Sequence, residues 1–381
     1  MRVITRRFAL TTPMRMLSRR RHIAVLGTLL LLAWACRKDE QPAPDEGAPV
    51  GTTPVSVDLA TVPYDSLSTY RFFEGPLKDL RPAAGVLPYE PTTPLFSDYA
   101  HKQRFVWMPP GTRAAYVADT CVLAFPDGAV LIKNFYYDHV QPQDERRIME
   151  TRLLIRRNGG WIYAEYVWNE EQTEAVLDMN GSNTQVQWVD DDGALRTVDY
   201  RFPSATECHT CHKLGDANIP IGPKPQNLNA DLVYADGTMN QLAKWAAVGY
   251  LEPGYPAAIN TVVRWDDPAQ SLNDRVRAYM DANCSHCHAD GRYCDYRPMR
   301  FAWHATDDPA MLGVCVAPQD PLLPVHTHIV KPGNTEKSLL YYRIASDLDG
   351  VRMPLVGRTL VHEEGRALIE AWILSLTQTC N

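Results

Sequence analysis

Two kinds of hydrophobic spacing divide this chain near position 202. Upstream, from about position 72, apolar and polar residues alternate in short runs rich in valine, isoleucine, tyrosine and tryptophan. A period of two marks strands that bury one face. In METRLLIRRNGGWIYAEYVWNE two such runs flank Asn158, Gly159 and Gly160, residues that tolerate the positive φ of a tight hairpin turn. CVLAF and AVLIKNFYY flank Asp127 and Gly128, and TQVQWV and ALRTVDYRF flank Asp192 and Gly193, so two further hairpins are expected. Six or more strands at short spacing predict an antiparallel β sandwich or open barrel over 61–202. The acidic run at 190–192, with a glycine behind it, reads as a solvated turn rather than a calcium loop.

Downstream the period lengthens. NQLAKWAAVGYL, SLNDRVRAYMDANC and VHEEGRALIEAWILSL carry apolar residues at helical intervals. Ser271 is placed as the N-cap of the second, and Leu368, Ile369, Trp372, Ile373 and Leu376 make one stripe on the third. The chain is therefore expected to be α+β and multidomain, its β-rich part followed by a segment over 203–265 and a mainly α-helical region over 266–381.

The N-terminus changes the expected address. Seven arginines without an acidic residue precede the thirteen-residue apolar run IAVLGTLLLLAWA, which ends at Cys36. Thirteen residues are too few to cross a bilayer, so the pattern is that of an export signal over 1–36. LAWAC resembles the lipobox of bacterial lipoproteins. That resemblance implies acylation of Cys36 and a lipid anchor at the cell envelope, in the periplasm, at the outer membrane or at the cell surface. RKDEQPAPDEGAPVGTTPV is polar and proline-rich and reads as a flexible tether over 37–60. The whole chain carries a net charge of −7, and removal of residues 1–36 leaves −14. Such an acidic surface argues against a nucleic-acid partner.

The chemistry lies in CHTCH at 208–212 and CSHCH at 284–288. A single zinc site with these two cysteine pairs would close an unusually long loop, and a thioredoxin-like pair wants a βαβ context that is missing. Covalent haem uses every element. Two thiols form thioethers to the vinyl groups, and the adjacent imidazole reaches the iron. Cys208, Cys211 and His212, and Cys284, Cys287 and His288, are therefore read as two c-type haem sites. Met353, followed by Pro354, would be held in an extended loop that can aim its sulfur at iron. Met239, just ahead of a helix, is the candidate sixth ligand of the first haem, with His326 and His328 as alternatives.

Positions 271–376 resemble a class I cytochrome c domain, in which a helix runs into CxxCH, a loop delivers methionine before proline, and a last helix packs across the first. The resemblance implies His288 and Met353 as axial ligands of a six-coordinate iron. The segments PLKDLRPAAGVLPYEPTTPLFSDYAHKQRFVWMPPG and GPKPQNLNADLVYADGTMNQLAKWAAVGYL are similar to an uncharacterised family of bacterial exported proteins with a β-rich front half and two CxxCH segments. That family brings no activity with it.

Four further cysteines remain. Cys294 with Cys315 would brace the loops before Met353, and Cys121 with Cys380 would tie the β region to the last helix; four free thiols are the alternative. The function expected from these readings is electron transfer between an exported or membrane-bound redox partner, such as a dehydrogenase or a membrane electron-transfer complex, and an acceptor. A di-haem peroxidase-like enzyme, or a binding module with a redox role, is the alternative.

Overall fold

Alternation in the front half yields strands where it was expected and one pairing that was not. The computed structural model describes residues 53–380. The export signal, Cys36 and most of the expected tether lie outside the described residues. The last part of that tether is packed rather than loose. Val55, Val57 and Leu59 lie against buried Tyr70 and Phe72, and the Ser56 amide donates to the Tyr70 carbonyl at 3.0 Å.

A small pair, β1 (Phe73–Glu74) and β2 (Arg81–Pro82), precedes the main sheet. The sheet comprises β3 (Leu87–Pro88), β4 (His101–Trp107), β5 (Val130–Val140), β6 (Glu145–Arg157), β7 (Gly160–Trp168), β8 (Ala175–Leu177), β9 (Ser182–Val189) and β10 (Leu195–Phe202), every pairing antiparallel. Asn158 and Gly159, at φ 51° and 71°, make the β6–β7 turn. The β9–β10 hairpin also forms, and Asp190 accepts from the Ala194 amide at 2.8 Å, closing the turn on itself. The third expected hairpin does not form. β5 pairs with β4, while Leu123 and Phe125 are drawn into a core with Trp161 and Trp245. There the burial of large apolar side chains outweighs local alternation.

One face of the sheet, with Phe105, Ile132 and Leu153, is covered by positions 62–86. On the other face Val106, Leu131 and Trp161 pack against Leu228, Leu242 and Leu251. These last residues lie beyond position 202, so the sheet and the first CxxCH segment share a core. The described residues form one compact unit.

The C-terminal half corrects the expected fold class. Among the described residues strand outweighs helix, 27% to 17%, and no mainly α-helical cytochrome c-like region is present. Six short helices are described: α1 (Ala205–His212), α2 (Pro225–Leu228), α3 (Gln241–Ala247), α4 (Leu272–Asn283), α5 (Leu339–Ile344) and α6 (Glu363–Ser375). The three expected from spacing are present as α3, α4 and α6, with Ser271 accepting from the Asp274 amide at 3.0 Å. Between α4 and α5, however, six prolines fall between positions 289 and 337, and each removes a backbone donor and disfavours helix before it. Two minor hairpins, β11 (Lys213–Leu214) with β12 (Ala217–Asn218) and β13 (Asp231–Tyr234) with β14 (Gly237–Asn240), complete the elements. A core of Val276, Met280, Phe301, Leu340, Ile369 and Trp372 joins α4 to α5 and α6.

The disulfide expectation is also corrected. Cys315 is bonded to Cys380, with Cα atoms 5.2 Å apart, and Cys294 is a buried free thiol. Cys380 is thus unavailable to Cys121. Chain reversal after α6 returns the C-terminus to the 313–316 segment, a proximity that separation along the sequence does not reveal.

Candidate functional site

The first motif is built into a helix that spacing did not reveal. β10 ends at Phe202, and Ser204 then caps α1 through a reciprocal box with Glu207, whose carboxylate accepts from the Ser204 amide at 2.8 Å. Cys208, Cys211 and His212 follow at helical offsets of three and four, which places them on one face. His212 Nδ1 donates to the Ile219 carbonyl at 2.8 Å, leaving the Nε2 lone pair for a metal. Burial pushes this imidazole down to about 4, so it is neutral at pH 7. Asn218 anchors the segment to the sheet by donating to the Trp161 carbonyl at 3.1 Å.

The second motif begins where α4 ends. Cys284 is its C-cap, and the following turn is held by the His288 amide, which donates to the Cys284 carbonyl at 2.9 Å. His288 is 7% exposed, lies 5.3 Å from the Phe301 ring and is likewise held at about 4 by burial. Burial also pushes the Cys208 and Cys284 thiols up to about 12.

The two motifs meet. The ligand atoms of Cys211, His286 and Cys287 all lie within 4.8 Å of one another. Backbone contacts stitch the segments together: the Gly215 amide donates to the Gly291 carbonyl at 2.8 Å, and Arg292 donates to the Lys213 carbonyl at 3.0 Å. The hydrogen bond between the two thiols lowers Cys211 and raises Cys287, so Cys211 is the readier thiolate of the pair.

Each motif opens onto its own cavity. The first, about 1520 Å³ of non-atom space including its mouth, is bordered by Cys208, Cys211 and His212. The second, about 1280 Å³ on the same measure, is bordered by Cys284, Cys287, His288 and Met353. Cys211, His286, Pro354 and Val356 border both, so one thin wall separates them.

Met353 is positioned by a residue that spacing could not nominate. Arg358, 5% exposed, donates to the carbonyls of Met353, Leu360, Arg343, Ile344 and Ser346, at 2.8 Å for Met353. Asp98, from the front half, accepts from the Thr359 and Leu360 amides, each at 2.7 Å. The methionine loop is therefore clamped from both sides.

The other candidates fall elsewhere. Met239 lies on β14, is 43% exposed and borders neither cavity. His326 and His328 also border neither. His286 was not singled out by the sequence because it is an interior residue of the second motif. It is 4% exposed, and its Nδ1 has no partner among the described residues. Its only sequence signal is a second imidazole inside CSHCH.

The donor set fits covalent haem: at each site two thiols and a neutral imidazole with a free nitrogen border a cavity that opens to solvent. The chain matches no family model, no curated protein and no solved structure.

Proposed function

We propose that this chain is a di-haem electron-transfer protein, with one c-type haem on Cys208 and Cys211 and a second on Cys284 and Cys287. The observation that carries this reading is the meeting of two motifs, far apart in sequence, with Cys211 and Cys287 within 4.8 Å and a separate cavity behind each. Bound there, haem supplies a one-electron iron couple. The chain supplies what sets its potential and its path. His212 and His288, kept neutral by burial, would hold the iron. Met353 borders the second cavity and would supply a thioether there, a pairing that favours ferrous iron. His286, the one other histidine bordering the first cavity among the described residues, replaces Met239 as candidate sixth ligand of the first haem. Cys211 and Cys287, within 4.8 Å of each other, would hold the two groups close together, which suits electron transfer over a short distance.

The partner in this reading is a redox protein, a dehydrogenase or membrane electron-transfer complex. It would meet an exported, lipid-anchored chain whose acidic surface favours a basic docking face. The test is protein produced with a c-haem maturation system. Intact mass should show two covalent haems, and Met353→Ala should abolish a sulfur–iron charge-transfer band and lower the potential of one haem alone. Zinc at Cys211, His286 and Cys287 with no haem would overturn the reading. Rapid peroxide turnover by the wild type would favour the peroxidase-like alternative, in which the first iron keeps an open position.

A further inference from the structure

The middle of the sheet carries three cations side by side. Register pairs Arg104 with Lys133, Lys133 with Arg152 and Arg152 with Glu165, and all four residues border the first cavity. Like charges directly opposite one another in a sheet repel, so stability alone does not account for the row. Neighbouring acids cancel only part of it. Glu90 takes Arg104 at 2.6 Å and Glu150 takes Arg152, while Lys133 makes no ion pair among the described residues and lies 4.5 Å over the Phe135 ring.

A second observation points the same way. Glu165 is 1% exposed, and neither of its carboxyl oxygens has a hydrogen-bond partner among the described residues. Arg152 Nε and the Tyr163 hydroxyl, on residues bordering the same cavity, are also buried and unpartnered. Buried polar atoms are rarely left so unless something else bonds them.

We propose that this row is an oxyanion-binding site, in which Lys133 and Arg152 hold the negative charge and Tyr163 and Glu165 donate to the oxygens. Burial and the neighbouring Glu150 push the Glu165 carboxyl up to about 10, so it keeps the proton it donates at neutral pH. Burial and Arg104 hold Lys133 well below the usual ammonium range, and an arriving anion reverses that penalty. Two sources share this chemistry. One is the propionate groups of a haem in the same cavity, which rests on the di-haem reading; the other is a diffusible oxyanion, which does not.

The experiment titrates holoprotein with inorganic phosphate by calorimetry and measures both haem potentials, in the wild type, Lys133→Met and Arg152→Met. Lys133→Met removes repulsion, so its melting temperature should be unchanged or higher, which separates lost binding from lost fold. Phosphate binding weakened about tenfold or more in either variant supports a diffusible ligand. No phosphate binding, with one potential lowered in Lys133→Met, supports propionates. Affinity and potentials that do not move in either variant overturn the site. Protein carrying no covalent haem defeats the di-haem reading separately, and phosphate calorimetry then decides the site alone: binding lost in Lys133→Met supports it, and no binding overturns it.

Discussion

The two CxxCH segments share a motif and almost nothing else. The first lies on an eight-residue helix against the sheet, and its cavity has a polar floor of Arg104, Lys133, Arg152 and Glu165. The second closes the longer helix α4, and its cavity is walled by Phe301, Ile329, Leu340 and Ile344, which belong to the C-terminal core. In the proposed reading, attachment would be set by five residues, while solvation and ligation would be set by what packs around them. Both cavities are lined mostly by apolar groups, but the polar row in the first offers water partners that the core residues of the second do not, and unfilled hydrophobic space forfeits packing and transfer free energy.

The largest effect should come from removing one attachment site at a time. Replacing both Cys284 and Cys287 by alanine should cost roughly 3–5 kcal/mol of holoprotein stability, the scale of a large core truncation. The same change at Cys208 and Cys211 should cost clearly less. Equal losses in denaturant unfolding would break the comparison.

Next comes the clamp on the methionine loop. Arg358→Met removes the guanidinium that serves five carbonyl oxygens and strands four of them, since the Arg343 carbonyl keeps the Met353 amide at 2.9 Å. A loss of at least about 3 kcal/mol is expected, because buried acceptors left without donors each cost about 1–3 kcal/mol. The charge-transfer band assigned to Met353 should weaken, with the first haem unchanged. A variant in which both haems shift together would show that the clamp serves the whole molecule.

His286→Ala sharpens the comparison from the other side. One ferric haem should turn high-spin by electron paramagnetic resonance while the Met353 band persists, and added imidazole should restore the low-spin signal. Two low-spin haems in the variant would send the search for the first haem's ligand elsewhere.

The smallest effect is on pH dependence at the junction of the two regions. His362 stacks on Phe96 at 4.1 Å, lies 3.1 Å from the Tyr279 hydroxyl and is held at about 4 by burial, against a reference of 6.5. Above 6.5 neither folded nor unfolded chain protonates it. As pH falls from 6.5 towards 4 the unfolded chain takes up the proton first, so this group's contribution to stability is lost in that window. Urea midpoints at pH 7.5 and pH 5 should differ less in His362→Gln than in the wild type.

What was legible in the chain was what depends on near neighbours. Alternating side chains and an Asn-Gly turn specified β6 and β7, and Ser271 and the spacing after it specified α4. The two motifs pointed to the chemistry proposed above because thiol, thiol and imidazole would have to be adjacent to serve one macrocycle. Met353 was legible through the proline behind it, and the structure sets it on the second cavity.

Tertiary structure decided what depends on distant partners. The pairing of β4 with β5, the Cys315–Cys380 bond, the position of Met239 away from both cavities and that of His286 on both all follow from segments far apart in sequence packing together. The expected helical region gave way because prolines deny helix its donors between α4 and α5, a cost that helical stripes on either side could not reveal. The row of Arg104, Lys133, Arg152 and Glu165 exists only once four strands are in register. Each of these residues alone reads as an ordinary strand charge, and only their alignment over one cavity, where water is displaced and repulsion is weakly screened, turns them into a site.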